Sequence, residues 1–255
     1  MGAVAASHQL RDAYRRVMDR VGEACARSAI HRGDQPMVVA VTKTASPDQI
    51  RTLVEMGHVD LAENRVQHLI QREAQLAEFL NRKRTLGRAA QEDPQRQYEV
   101  RWHMVGHLQR NKVKPVIPLV KLIHSVDSLR LAEEIQAVAM KSDQVVDVLL
   151  QVNMSGEAGK HGVAAPAAQH LAEQIDTMMH LRMRGLMTMA PICDDPETSR
   201  PVFSRTAEIF EDVRKDRIGG DHFNILSMGM SADFEVAIEE GANLVRIGRA
   251  LFGET

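Results

Sequence analysis

Residues 37–64, MVVAVTKTASPDQIRTLVEMGHVDLAEN, determine the predicted fold because they contain one complete strand–helix–strand unit. Residues 37–41 and 59–62 are short apolar, β-branched runs typical of buried strands. Between them, residues 47–56 carry apolar side chains at helical spacing. Two strands joined by a helix-length crossover must run parallel, because the crossover returns the chain to the same edge of the sheet.

The same alternation continues to the end of the 255-residue chain. Eight candidate strands lie at residues 37–41, 59–62, 101–105, 122–126, 145–152, 182–187, 223–227 and 243–247. Helical patterns lie at residues 47–56, 66–79, 129–140, 165–178, 198–214 and 231–240, with a short turn around 111–117. Eight such units predict an α/β protein whose single domain, residues 1–255, is a closed (β/α)8 TIM barrel.

Two segments lie outside this repeat. Within residues 1–33, an apolar stripe over about 8–30 predicts an extra N-terminal helix before the first strand. Residues 81–100 are dense in Arg, Lys, Glu and Gln and contain Gly87 and Pro94, so we expect a charged, variable loop there.

Composition excludes several classes of protein. The chain is 44% hydrophobic with a formal net charge of −2, which argues against disorder and against a nucleic-acid partner. Its two cysteines, Cys25 and Cys193, form no CxxC pattern, so neither a disulfide framework nor a cysteine metal site is expected. No apolar run approaches the ~20 residues of a membrane span, and the charged first 28 residues are unlike a secretion signal. We therefore expect a cytoplasmic protein without a membrane partner.

The first strand places a lysine where chemistry is expected. Functional residues of a parallel barrel lie at the C-terminal ends of its strands, and Lys43 follows the first of them directly. A lysine at a barrel mouth either extends its charge to solvent or serves as an amine nucleophile for an aldehyde. Lys43 alone leaves both interpretations open.

The last two units contain groups that suit a phosphorylated ligand. After the seventh strand, Ser227 offers a hydroxyl, Gly229 permits close backbone approach, and Ser231 is expected to cap the next helix. The eighth strand has Arg246 and Gly248 on one alternating face, followed by Arg249. Each feature alone fits ordinary turn or ion-pair chemistry. Together they predict a phosphate site between the last two loops, where barrels often bind phosphate.

We expect the histidines near the third and fourth strands to be structural residues and not metal ligands. His103 and His107 are four residues apart, but strand geometry separates them and no third ligand is apparent, so no metal site is expected. His124 lies inside a predicted strand and is expected to be a hydrogen-bonded core residue.

Eight ordered motifs extend over most of the chain: AVTK (40–43), AEN (62–64), WHMVGHLQ (102–109), IHSVD (123–127), VNMSGE (152–157), RGLM (184–187), SMGMS (227–231) and VRIG (245–248). With these motifs, residues from about 37 to 254 resemble the pyridoxal phosphate homeostasis proteins, whose barrel is of the alanine racemase N-terminal type. The resemblance implies that pyridoxal 5′-phosphate (PLP) forms a Schiff base with Lys43 and that Asn64 lies beside the cofactor. It further implies a phosphate site at Ser227, the Met228–Gly229 backbone and Gly248, with Arg246 facing the pyridine nitrogen.

Two consequences follow from the resemblance. An arginine facing the ring nitrogen donates a hydrogen bond but does not readily give up a proton, so extensive carbanion chemistry is disfavoured. Many members have a small hydroxyl residue after Arg-Ile-Gly, whereas this chain has Arg249. Arg249 either contacts the phosphate or points to solvent.

Three functions are compatible with these residues, and the favoured one is a monomeric carrier or buffer that supplies PLP to apoenzymes without substantial catalysis. The first alternative, an amino-acid racemase, requires a second acid/base, which alanine racemases take from a tyrosine of an additional domain. Here the tyrosines, Tyr14 and Tyr98, lie away from the predicted strand ends, so Lys160 or a histidine would have to substitute. The second alternative is a lysine-dependent aldolase, which would use Lys43 without PLP.

Overall fold

The computed structural model describes residues 2–31, 34–85, 99–154, 161–192 and 194–253. The strands are β1 (Met37–Val41), β2 (Asp60–Glu63), β3 (Arg101–Met104), β4 (Val120–Val126), β5 (Val146–Asn153), β6 (Val163–Ala164), β7 (Leu181–Met187), β8 (Ile225–Ser227) and β9 (Leu244–Ile247). The α-helices are α1 (Gly2–Arg27), α2 (Pro47–Glu55), α3 (Val66–Thr85), α4 (Val113–Val116), α5 (Leu129–Lys141), α6 (Ala168–Asp176), α7 (Arg200–Lys215), α8 (Phe234–Glu239) and α9 (Arg249–Phe252).

The strands form a closed parallel barrel. Strands β1 to β5 pair in chain order, β5 pairs with β7, and β7 to β9 continue the series. Strand β9 then pairs with β1, so that Met37 lies opposite Leu244 and Ala40 opposite Ile247. The predicted (β/α)8 barrel is confirmed. The short strand β6 pairs only with the end of β5 and is an addition to the barrel.

Alternation along the strands divides the apolar residues between two cores. One small cluster comes almost entirely from the strands and fills the barrel interior: Val39, Ala62, Leu122, Leu149, Met187 and Leu244. A larger cluster lies between the strands and the surrounding helices, where Leu61, Ile123 and Val148 are fully buried. This arrangement follows from the two-residue period of a strand, which turns successive side chains to opposite faces.

Local sequence explains where the helix after the first strand begins. The side chain of Ser46 accepts a hydrogen bond from the backbone of Gln49, and the Gln49 side chain accepts one from the backbone of Ser46. This capping box satisfies two amides that the first turn leaves without helical partners. Pro47 at the first helical position fits there because it has no N–H to satisfy.

The N-terminal helix closes one side of the molecule. Leu10, Val17 and Val21 of α1 are buried at helical spacing, as the sequence predicts. Helix α1 packs against α2, α8 and α9, and Arg20 forms an ion pair of 2.8 Å with Glu235 on α8. Among the described helices, none is both long and apolar enough to span a bilayer.

Several predicted boundaries need correction. The expected charged loop at 81–100 is helical over 81–85, because α3 continues to Thr85, while residues 86–98 lie outside the described residues. Neither β6 nor α9 was predicted from the sequence. The short turn expected near 111–117 is confirmed as a 3-10 turn, Arg110–Lys112, followed by α4.

One glycine is required by the barrel wall itself. Gly185 in β7 has a φ of +148°, and a Cβ there would lie 1.8 Å from the carbonyl oxygen of Ile225 on β8. The pairing of β7 with β5 shifts register next to this residue. Only glycine allows the two backbones to approach this closely at such a backbone angle.

Candidate functional site

A cavity of about 500 Å³ opens at the C-terminal ends of the barrel strands. Its size lies within the range of small-molecule sites, and its position is the one that barrels use for function. Five of the eight predicted site residues line it: Lys43, Asn64, Arg246, Gly248 and Arg249.

The other three predicted residues are not part of the cavity wall. Ser227 and Met228 are fully buried, and neither they nor Gly229 line the cavity. The wall after β8 consists of Met230, Ser231, Ala232 and Asp233 instead. Met230, Ala232 and Asp233 were not predicted to line the site, and Ser231 was expected there only as a helix cap, because the positions of two neighbouring loops depend on tertiary contacts.

The loop that carries Lys43 is attached to a buried acid. Glu63, fully buried at the end of β2, accepts hydrogen bonds from Thr42 Oγ1 (2.5 Å) and Arg72 Nη1 (2.7 Å). The other terminal nitrogen of Arg72 donates to the carbonyl oxygens of Ala45 (3.1 Å) and Lys43 (3.4 Å). These bonds fix the backbone on both sides of Lys43, while its exposed side chain lies at the cavity.

Asn64 lies where two backbones cross closely. A Cβ on Gly106, in the loop after β3, would lie 2.0 Å from the carbonyl oxygen of Asn64. Only glycine fits at this position, so the loops after β2 and β3 are held in direct contact. Both residues line the cavity.

Ser231 joins the last two loops. Its hydroxyl oxygen accepts hydrogen bonds from the backbone N–H groups of Gly248 and Ala250, each at 3.2 Å. The prediction that Ser231 caps the helix after β8 is therefore wrong. Asp233 is the N-cap of α8, and its carboxylate accepts from the backbone of Met230 at 2.6 Å. The serine instead connects the two loops that were predicted to receive a phosphate.

Arg246 is a buried cation at the base of the cavity. It is 3% exposed and donates to Ser227 Oγ at 2.6 Å and to the carbonyl oxygen of Thr188 at 2.8 Å. Burial lowers the pKa of Arg246 to about 10, although the charge of Asp233 opposes this shift. The guanidinium therefore remains protonated at neutral pH.

A chain of buried hydrogen bonds runs from Arg246 through the barrel interior, and we call it the interior chain. Ser227 Oγ lies 3.1 Å from His124 Nδ1, and His124 Nε2 lies 3.0 Å from His103 Nδ1. His103 Nε2 then lies 3.3 Å from Asp60 Oδ1. With Arg246 as the first donor, each member can donate to the next as far as the carboxylate of Asp60.

Electrostatics in the interior chain favours a neutral His124. Burial lowers the pKa of His124 well below its ordinary value, and the nearby positive charge of Arg246 lowers it further. The prediction that His124 is a hydrogen-bonded core residue is confirmed by its complete burial and its two partners.

The histidine pair considered in the sequence is separated in space. His103 lies inside the barrel, whereas His107 lies at the cavity beside His161 and Asp127. This second cluster was not predicted from the sequence, because its members follow three different strands.

These features define the structural class of the protein: a closed parallel barrel whose mouth holds a cavity lined by a lysine and a buried arginine. The family model described as alanine racemase, N-terminal domain, matches residues 10–255. Within this class, the chain is 39% identical over 241 residues to the pyridoxal phosphate homeostasis protein of Aquifex aeolicus, which covers 94% of this chain and 95% of that one. The chain belongs to the pyridoxal phosphate homeostasis protein family, as its motifs predicted.

Solved structures agree with this assignment. An unknown protein from Bifidobacterium adolescentis is 33% identical, with a TM-score of 0.84 over 97% of this chain and 96% of that one. PipY of Synechococcus elongatus, with PLP bound, is 26% identical, with a TM-score of 0.71 over 92% of this chain and 99% of that one.

Proposed function

We propose that this protein binds PLP in the cavity at the barrel mouth, with Lys43 as the attachment point, and that it carries or buffers the cofactor. The observation that carries the proposal is the convergence of Lys43, Arg246 and the loops after β8 and β9 on one cavity of about 500 Å³. Family membership and the PLP-bound relative support it.

The groups around the cavity fit the parts of PLP. Lys43 supplies an amine, and Arg249 supplies a cation beside the two loops joined by Ser231. A Cβ on Gly248 would lie 3.2 Å from the carbonyl oxygen of Val41, tighter than ordinary contact, so the end of β9 lies close against β1. The missing side chain permits this close contact, which holds the loop after β9 at the cavity that Gly248 lines. We assign the phosphate to the loops after β8 and β9 on this basis.

When bound, PLP would supply an aldehyde that reacts with an amine with loss of water. Lys43 is the amine that the cavity presents, and the bonds of Arg72 to its loop hold it in place. Arg246, which lines the cavity, presents only hydrogen-bond donors and does not readily give up a proton, so a ring nitrogen facing it would receive a hydrogen bond and not a proton. This arrangement favours holding the cofactor over using it as an electron sink.

The structure adds one observation against the racemase alternative. Tyr14 lies on α1, 3.4 Å from His58, and is not part of the cavity wall. Tyr98 lies outside the described residues.

As part of the same proposal, the protein is a cytoplasmic monomer that gives PLP to PLP-dependent apoenzymes.

The deciding experiment compares Lys43→Ala with Lys121→Ala, an exposed lysine on β4 that is remote from the cavity. Each protein is incubated with PLP, and its absorbance spectrum is recorded at the boundary of the ultraviolet and visible regions. Borohydride is then added, and the protein is analysed by mass spectrometry. We expect a band and a borohydride-fixed adduct in the wild type and in Lys121→Ala, and neither in Lys43→Ala. An adduct that survives in Lys43→Ala would overturn the assignment of Lys43.

The carrier function needs two further measurements. The loaded protein is given a panel of amino acids, and racemization and transamination are followed; substantial turnover would replace the carrier proposal with an enzyme. Loaded protein is also mixed with a PLP-dependent apoenzyme, whose activity should return.

For Arg249→Ala, we expect weaker PLP binding with less salt dependence, and an unchanged affinity would remove Arg249 from the phosphate site.

A further inference from the structure

A cluster of two histidines and one aspartate lies at the rim of the cavity, and we call it the rim cluster. His107 follows β3, Asp127 follows β4, and His161 precedes β6. Asp127 Oδ2 lies 3.1 Å from His107 Nδ1 and 3.6 Å from His161 Nδ1. One potential ligand atom from each residue lies within 4.8 Å of the other two.

The two imidazole rings of the rim cluster lie face to face. Their centroids are 3.8 Å apart and the rings are 12° from parallel. In this stacked arrangement, Nδ1 of His107 and Nδ1 of His161 both lie near the same oxygen, Asp127 Oδ2. Each neutral imidazole offers one nitrogen lone pair, which lies in the plane of its ring, so at least one of the two rings must turn out of the stack for both to bind the same ion.

Each member of the rim cluster is held by a neighbouring contact. Gly106, next to His107, lies tightly against Asn64. The hydroxyl of Ser128 donates to Asp127 Oδ1 at 3.2 Å, which leaves Oδ2 directed at the histidines. Contacts of this kind orient metal ligands and raise affinity.

His161 is held by its backbone. The side chain of Gln151, buried on β5, donates to the carbonyl oxygen of His161 at 3.0 Å. The following residue, Gly162, has a φ of +124°, and a Cβ there would lie 2.7 Å from the amide nitrogen of Asn153. The backbone position of His161 is thus set by the end of β5, so the rearrangement that ion binding requires is a rotation of side chains at this site.

We propose that the rim cluster binds a divalent transition-metal ion of the Zn²⁺ class. Two imidazole nitrogens and one carboxylate oxygen are a donor set that Zn²⁺ accepts, and three protein ligands leave a fourth position open. One negative charge against two positive charges leaves the site net positive. His107 and His161 both line the cavity, so the open position faces water or an oxygen or nitrogen donor of a molecule held there.

The test is a calorimetric titration of the full-length, PLP-free protein with Zn²⁺ after chelator treatment. We expect one ion per chain, and at least about tenfold weaker binding in His107→Ala and in His161→Ala. The matched control is His170→Ala, an exposed histidine on α6 that lies near Glu173, and it should bind Zn²⁺ as the wild type does.

A second variant separates metal binding from hydrogen bonding. Asp127→Asn keeps the shape of the side chain and an acceptor oxygen but removes the charge, so a purely hydrogen-bonding role would leave Zn²⁺ affinity unchanged. We expect a loss of at least about tenfold. Circular dichroism checks that each variant is folded.

Cobalt provides a spectroscopic measurement of the same site. Co²⁺ bound by the rim cluster should give visible absorption bands that disappear in His161→Ala and on adding excess Zn²⁺. Absence of one-to-one binding, or equal affinities in His161→Ala and His170→Ala, overturns the proposal. Lys43→Ala should bind Zn²⁺ normally, so the metal proposal and the PLP proposal can fail separately.

Discussion

Arg246 is a buried cation whose direct partners are a hydroxyl and a carbonyl oxygen, both uncharged. An arginine without a paired carboxylate is costly to bury, so its hydrogen bonds carry much of its stabilisation. Ser227 has two functions in this arrangement, because it accepts from Arg246 and lies within donating distance of His124. The sequence suggested a phosphate role for Ser227, and its place in the interior chain could not be seen without the fold.

Replacing Ser227 should therefore cost more than replacing a neighbouring buried serine. Ser227→Ala leaves the Arg246 guanidinium and His124 each without one partner, and we expect the free energy of unfolding to fall by about 1–3 kcal/mol. Ser125 is fully buried on β4, and its hydroxyl has no hydrogen-bond partner among the described residues. Ser125→Ala should be neutral or slightly stabilising. Urea unfolding measures both, and equal losses would contradict the assignment.

Asp60, at the other end of the interior chain from Arg246, is expected to make the stability of the protein depend on pH. Burial opposes ionisation of Asp60, but hydrogen bonds from His103 and Arg101 outweigh it and lower the pKa of Asp60 from 3.8 to about 2. Because the pKa of the folded state is the lower one, the ionised carboxylate stabilises the protein above about pH 4. That contribution, on the order of 2 kcal/mol, is lost as the pH falls from about 4 to 2.

Asp60→Asn should flatten this part of the pH profile. We expect urea midpoints of the variant to change less than those of the wild type between pH 4 and pH 2. Asp176→Asn, at an exposed position at the end of α6, should keep the wild-type slope. A slope in Asp60→Asn equal to that of the wild type would show that other groups cause the acid dependence.

Individual elements differ in how far the sequence determines them. The eight barrel strands lie within two residues of their predicted bounds, because runs of buried β-branched residues mark them. Strand β6 and helix α9 have two and four residues, and their formation depends on contacts with β5 and with Ser231. Such short elements carry no periodic signal, so a sequence pattern cannot predict them.

Two glycines in different elements should respond oppositely to alanine. A Cβ on Gly22 of α1 meets no atom within 4 Å, so Gly22→Ala should stabilise the protein by about 0.5–1 kcal/mol through helix propensity. Gly185→Ala should lower the free energy of unfolding by more than about 3 kcal/mol, because its Cβ would overlap the backbone of β8. Denaturant unfolding compares them, and losses of similar size would contradict the role given to Gly185.

For the whole molecule, the sequence predicted the barrel, the cavity end and five of the residues that line the cavity. The rim cluster was missed, because His107, Asp127 and His161 come together only when three strands align. Residues that follow neighbouring strands can be predicted to share one end of the barrel. Their mutual distances depend on close backbone contacts, such as that of Gly106 with Asn64, which no pattern in a single sequence reveals.

The packing of α1 also affects how the chain folds during synthesis. Arg20 and its partner Glu235 are 215 residues apart in sequence, and α1 also packs against α9. At about 5–20 residues per second, a ribosome needs on the order of 10–40 s to make that stretch. During this time the apolar stripe of α1 lacks its partners on α8 and α9. Helix α1, although synthesised well before α8 and α9, therefore completes its docking only after them, and its exposed stripe is a point where a chaperone can bind the nascent chain.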